Sequence, residues 1–401
     1  MLNVFTLNQR INESAGYTAD VKSVLESVEE YEFIGSIDEA SSEFAINLMD
    51  ESVSFQEMLV GSEEVLAEAA MTNPDRLDTI QENVFTGIKE KVLAVINKII
   101  AMVKGIIAKL KEFYYKLTGK TDKWAKAIKP RITAAKSRTG YSDATAEMYS
   151  WDEEYITSGM STAISKLMDN MSKTLNGMFD EAGVKAGKLE DRFGSMANTV
   201  KKGATDSTKG QDADSKRVAN YVNGADEVIG ELENTFKDIK AEFPKTVAGI
   251  LGKNLSTASM EDLWKSMDTA VKGNEKTSQK YGNRVDAMLS TVEKSAKTIQ
   301  TIQKAYDKHL NELGTLKKKA ETAFDENKIS GKLPEEGAKA GKRLMSTVGT
   351  YITSYLTMHE GVINTARDKN TKYLQEMTSE YMSVLTKFAG IKSQAPKKDE
   401  Q

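Results

Sequence analysis

The residues able to carry chemistry are few, and their spacing is poor for catalysis. The 401-residue chain has no cysteine and only two histidines, His309 and His359. That excludes a disulfide framework, a thiolate nucleophile and a thiolate metal site, and two histidines so far apart do not make a His-rich zinc site. Asp152, Glu153 and Glu154 are consecutive; they do not share one helix face and read as a solvated surface rather than a metal site. Two glycine-lysine stretches, Gly183 to Lys188 and Gly337 to Arg343, are one residue short between their glycines for a phosphate-binding loop. Neither carries the Ser or Thr that would hold magnesium, and both read as helix starts or loops. His309 and His359 fall inside long helical patterns and read as ordinary surface or seam histidines. No enzyme activity, cofactor or metal is expected.

Charge is the informative feature. Residues 1–82 hold 18 acids against three bases (Arg10, Lys22, Arg76), and residues 83–140 hold 14 bases against three acids (Glu90, Glu112, Asp122). The remainder carries 38 of each, so a total of −4 conceals an acidic head, a basic segment and a balanced body. Such asymmetry points to a shielding or processed segment, or to contact with nucleic acid or membrane. It also fits a plain fold in which the acidic head packs on the basic segment.

The basic segment has helical periodicity. Ile88, Val92, Val95, Ile99, Met102, Val103, Ile106, Leu110, Phe113 and Leu117 fall on one broad arc at 100° per residue. Lys91, Lys98, Lys109 and Lys116 edge that arc on one side, and Lys104 and Lys111 on the other. This predicts a cationic amphipathic helix ending near Gly119, with Lys120, Lys123, Lys126 and Arg131 extending the basic run through Trp124. It has three readings. It is a core helix with solvated lysines, an interfacial helix whose lysines snorkel to anionic headgroups, or a non-specific contact to DNA phosphates. The lysines at mid-helix argue against burial in lipid.

One short motif is unevenly distributed. Leu or Ile, any residue, Glu and then a small residue occurs at Ile11–Ser14, Ile37–Ala40 and Leu66–Ala69, all in the acidic head. The pattern resembles the cleavage sites of prohead proteases of large tailed bacteriophages, which cut after that Glu. An acidic head followed by a cationic helix is similar in layout to virion proteins of those phages, over about residues 1–130. The resemblance implies cleavage at Glu68 or at Glu39, removal of the acidic head, and a mature chain of residues 69–401 with a balance of +9. It further implies other virion proteins as partners and a place in the phage particle after synthesis in the host cytoplasm.

The elements that must position these residues are helices. Proline occurs only five times, and Ala, Lys, Glu, Met and Leu are abundant, which favours helix over sheet. Helices are expected over about 19–33 and 37–71, with a helix start at Thr72 to Asp75. Met148 to Met178 repeats at three- and four-residue steps. Lys201 to Ser215 reads as a linker, Val218 to Phe243 as helix up to Pro244, and Ser259 with Asp262 as a helix start. Val285, Leu289, Val292, Ala296, Ile299, Gln303, Tyr306, Leu310 and Leu313 form a seam, and Leu344 to Phe388 continues the same spacing after a break at Asp325 to Pro334. The expected fold is all-α, a long-helix bundle with an antiparallel coiled-coil-like C-terminal hairpin. The segments are an acidic one (1–70), a basic amphipathic one (71–140), a helical body (141–243), the hairpin (244–391) and a polar tail (392–401) that reads as disordered. The expected function is that of a non-enzymatic virion protein contacting DNA. The alternatives are a membrane-acting pore-forming or lytic protein, and a helical scaffold or adaptor that self-associates through its seams.

Overall fold

A computed structural model describes residues 77–137, 140–203, 210–325 and 335–390. The helices expected over 19–33 and 37–71, the start at Thr72, the cleavage residues Glu39 and Glu68, and the tail 392–401 lie outside the described residues. What is described is an all-α, long-helix bundle. Seven α-helices make it up: α1 (Leu77–Lys136), α2 (Met160–Gly203), α3 (Gly210–Ala241), α4 (Phe243–Leu251), α5 (Met260–Lys272), α6 (Val285–Ala323) and α7 (Glu335–Gly390). A two-stranded sheet, β1 (Thr145–Met148) and β2 (Thr277–Lys280), and short 3-10 or π-helical turns at Tyr141–Asp143, Tyr155–Gly159 and Gly282–Arg284 are the other described elements.

Several boundaries follow from local chemistry. Ser259 caps α5: its hydroxyl accepts the Asp262 N–H at 3.0 Å, leaving one fewer unsatisfied donor in the first turn. Gly273 at φ 74° closes the same helix, a backbone that L-residues avoid. Pro244 opens α4 rather than ending the previous helix, and proline's missing N–H is harmless in a first turn. Two expectations are corrected. Gly119 does not end α1, which runs on through Gly119 and Pro130 to Lys136. Thr121, Ala125, Ile128, Ile132 and Ala135 continue the buried stripe at three- and four-residue steps, so packing outweighs the weak helix propensity of one glycine. The region read as a linker over 201–215 is helical up to Gly203 and again from Gly210.

The described residues form two compact units. One draws on the chain up to Lys104, on Asp169–Phe243 and on His309–Val362; the other on Gly105–Met168, Pro244–Lys308 and the chain from Ile363. Both include residues of α1, α6 and α7.

In the first unit, Lys185 of α2 joins that helix to α3 by pairing with Glu231, and it also lies 3.5 Å from Glu181 on its own helix. The Lys319 ammonium of α6 donates to the Asn176 carbonyl and, at 2.6 Å, to Asp180 of α2. Phe236 of α3 meets Tyr351 of α7 at 4.8 Å between ring centres. The core is Val92, Ile96, Ile99 and Val103 of α1 with Leu175, Leu232, Leu316, Leu344 and Leu356.

In the second unit, α1 and α6 run antiparallel, tied by Lys129–Glu293 and Lys136–Asp286. Tyr306 of α6 donates to Asn364 of α7 at 3.1 Å. In the first unit His309 of α6 meets Glu360 of α7 at 2.7 Å. In the second unit Thr291 of α6 and Tyr381 of α7 both donate to Glu153 while Tyr306 meets Asn364, so an advance along α6 is matched by a retreat along α7, the expected antiparallel pairing. The sheet was not expected. Thr145 pairs with Lys280 and Met148 with Thr277, and each four-residue strand has a single β-branched residue, its threonine. The Tyr281 N–H donates to the Ala144 carbonyl at 2.9 Å, and just beyond it Gly282 lies against the 3-10 turn Tyr141–Asp143. A Cβ at Gly282 would sit 2.1 Å from the Tyr141 carbonyl oxygen and 2.8 Å from Ser142 backbone atoms. Gly282→Ala is therefore expected to destabilise the second unit at the upper end of the roughly 1–3 kcal/mol typical of overpacking, because backbone must shift. The check is urea unfolding followed by tryptophan fluorescence. Trp124, Trp151 and Trp264, which are all the tryptophans of the chain, belong to this unit. A variant with an unshifted midpoint would contradict the packing described.

Burial along α6 differs in detail from the expected seam. Two seven-residue rows are buried: Val285, Val292, Ile299, Tyr306, Leu313 and Ala320, and then Met288, Ser295, Ile302, His309 and Leu316. The expected partners Gln303 and Leu310 are only half-buried. The second row was missed because Ser295 and His309 interrupt its apolar character. Helix α7 is buried on nearly every side. It carries eight of the fourteen polar or charged residues buried among the described residues, and these define the interior chemistry.

Candidate functional site

Three constellations of polar side chains can be built from these elements. The first is the outer face of α1. Its apolar side enters the core of each unit, with Val92, Ile96, Ile99 and Val103 buried in the first and Ile106, Leu110, Phe113 and Leu117 in the second. The lysines are left at the boundary or beyond it. Lys91, Lys98 and Lys109 are half-buried, whereas Lys104, Lys111, Lys116, Lys120, Lys123, Lys126 and Arg131 are exposed. Burial holds the Lys91 ammonium below its ordinary pKa. Lys116 pairs with Glu112 four residues before it. All ten expected contact residues are thus on one helix, the exposed ones chiefly in the second unit.

The second constellation is a carboxylate network in the second unit. Glu153 accepts from Thr291 at 2.9 Å and Tyr381 at 2.7 Å, and pairs with Arg284. Asp152 pairs with Lys253 and accepts the Tyr155 N–H. Burial pushes the Asp152 carboxyl up, but the Lys253 ammonium and that N–H hold it below the usual range. Asp268 accepts from Lys369 at 2.8 Å and from the Tyr373 hydroxyl. Glu380 accepts the Trp151 indole N–H at 2.7 Å and lies 3.0 Å from Lys276. The reading of Asp152 and Glu153 as solvated is therefore corrected: both are part-buried and paired, and only Glu154 is exposed. Burial raises the pKa of Tyr155, Tyr373 and Tyr381, and the adjacent carboxylates raise it further. Phenols so held keep their protons and donate hydrogen bonds; they are poor general bases. The network's chemistry is fastening: it ties residues 151–155, just before α2, to α6, α7 and Lys253, and it ties α5 to α7.

The third constellation is a buried histidine pair in the first unit. His309 Nε2 meets Glu360 Oε1 at 2.7 Å with both side chains inaccessible to solvent. Beside them His359 is fully buried, its ring 4.8 Å from Tyr355 and 4.9 Å from Phe243. Neither of its nitrogens has a hydrogen-bond partner among the described residues, and neither has Glu360 Oε2. Burial, with a smaller contribution from His309, lowers the His359 pKa to about 3. Burial likewise pushes the neighbouring Tyr355 hydroxyl up to about 12. Both histidines are seam residues, within the expectation from sequence, but their mutual proximity was not legible.

No group of three or more His, Asp or Glu among the described residues is arranged to hold a metal ion. No described helix is long and apolar enough to cross a membrane. The two glycine-lysine stretches lie within helices, Gly183 and Gly187 inside α2 and Gly337 and Gly341 in the opening turns of α7. Gly183 to Lys188 is thus helix interior, neither a helix start nor a loop, and its amides belong to the helix ladder instead of cradling a phosphate. The fold and these sites define a helical protein fastened by interior polar networks, with one basic outer helix face. No protein-family model, no curated protein sequence and no solved structure matches this chain.

Proposed function

We propose that this chain is a non-enzymatic virion protein of a large tailed bacteriophage, located inside the head, whose basic helix α1 contacts DNA without reading sequence. The observation that carries the DNA contact is the two-sidedness of α1. Its apolar face is occupied by the core of each unit, so what it offers to a partner is a row of ammonium groups. That arrangement favours phosphate contact over insertion into lipid, because a membrane-bound α1 would have to withdraw Ile99, Val103, Ile106 and Phe113 from the interior. The virion assignment rests on the motif cluster at Ile11–Ser14, Ile37–Ala40 and Leu66–Ala69 and on the acidic-then-basic layout. An anionic head would screen the lysines during assembly, and its removal at Glu68 or Glu39 would release them. The other members of the particle are its protein partners, and a second copy of the chain is an additional one.

Mass spectrometry of purified particles tests this reading. The expected result is a chain beginning at Ala69 or Ala40, with peptides from residues 1–39 depleted. Full recovery of peptides containing Met1 would remove the maturation step, and absence of the chain from particles would remove the assignment.

A further inference from the structure

We infer that the outer face of α1 in the second unit is a binding surface for single-stranded nucleic acid, with Tyr115 as the platform on which an unpaired base stacks. The inference deepens the DNA-contact reading and rests on it. Tyr115 is 72% exposed, far more than a tyrosine used for packing. Its neighbour Tyr114 is half-buried and meets it edge to face at 5.5 Å, supporting the exposed ring from one side. On the following turn stands Gly119, and an added Cβ there would meet nothing within 4 Å. The helix surface one turn beyond the ring therefore carries no side chain and is open.

The surroundings supply the charge. At 100° per residue, Lys111 and Lys126 lie within about 40° of Tyr115, roughly 6 Å and 16 Å along the axis at 1.5 Å per residue. Lys116 and Lys123 flank the same face. Its acids are Asp122 and Glu112, and Glu112 is already paired with Lys116. Lys111, Lys123 and Lys126 make no ion pair among the described residues. An exposed aromatic between cations matches what a single strand requires: each base offers a π-face and each phosphate a charge. A duplex hides its bases and would use the lysines alone.

The experiment uses the full chain, before and after cleavage following Glu68, and fluorescence anisotropy with a labelled oligothymidylate, the same strand made abasic, and a duplex of equal length at one salt concentration. The expected result is tighter binding of oligothymidylate than of duplex or abasic strand. Tyr115→Ala should weaken oligothymidylate binding about tenfold and leave duplex binding within twofold, while Tyr115→Phe retains it. Lys111→Gln with Lys126→Gln should weaken both. If Tyr115→Ala binds oligothymidylate as the parent does, or the abasic strand binds equally well, stacking is overturned while the phosphate contact stands. If the chain binds neither nucleic acid before or after that cleavage, or binds only anionic phosphatidylglycerol vesicles, this inference and the DNA-contact reading fall together.

Discussion

Lowering the pH from 7 toward 3 is expected to weaken the first unit through His359. The folded ring titrates near pH 3, the unfolded ring near pH 6.5. Above 6.5 both states are neutral and stability is complete. Between the two values the unfolded chain takes up a proton that the folded chain refuses, so stability falls as pH falls, and below about 3 the loss is complete. Three and a half pH units correspond to an upper bound of about 5 kcal/mol. The groups facing the ring do not relieve the cost. His309 on α6 opposes a second charge, Glu360 is engaged by His309, and Phe243 and Tyr355 present apolar rings to it. His359→Leu should remove this acid loss and leave stability at pH 7 equal or higher, because two unpartnered ring nitrogens are then gone from the interior. Hydrogen exchange of peptides covering Ser346–Val362, measured in urea at pH 7 and pH 4, separates this unit from the tryptophan-bearing one. An identical acid loss in His359→Leu and the parent would exclude His359 as its origin.

Removing the Arg367 side chain is expected to cost the second unit about 3 kcal/mol, the lower end of the range for breaking a buried ion pair, because the Asp368 carboxylate is 29% exposed and keeps part of its hydration. Arg367 is 1% exposed. Its guanidinium donates to Asp368 at 2.6 and 2.8 Å and to Asn364 at 3.2 Å, and lies 5.9 Å from the centre of the Tyr306 ring. The Tyr306 hydroxyl shares the same Asn364 oxygen at 3.1 Å, so one side chain organises a contact between α6 and α7. Arg367→Ala leaves Asp368 and Asn364 without that donor and opens a cavity. Arg367→Met with Asp368→Asn keeps volume and removes both charges, so it should recover most of the loss. Urea unfolding by tryptophan fluorescence reads both variants. If the paired replacement is as unstable as Arg367→Ala, packing volume and charge pairing are not what Arg367 supplies.

The helical class, the cationic amphiphile, the cap at Ser259 and the antiparallel pairing of the last two helices were all legible in the chain. They depend on local terms: apolar periodicity, the scarcity of proline, and one hydroxyl three residues before its amide. What escaped a linear reading was long-range. The pairing of Thr145–Met148 with Thr277–Lys280 is made by backbone groups that four-residue segments with one β-branched residue each do not advertise. Gly119 looks like a helix end until the buried stripe beyond it is known to have a surface to pack on. The networks around Glu153, Asp268 and His359 join residues some fifty to more than two hundred positions apart in the chain. Periodicity marks which side of a helix is apolar, but it gives no sign of a polar residue inside that side. Ser295 and Arg367 were invisible for that reason, since whether a polar group can be buried depends on partners that only the folded chain supplies.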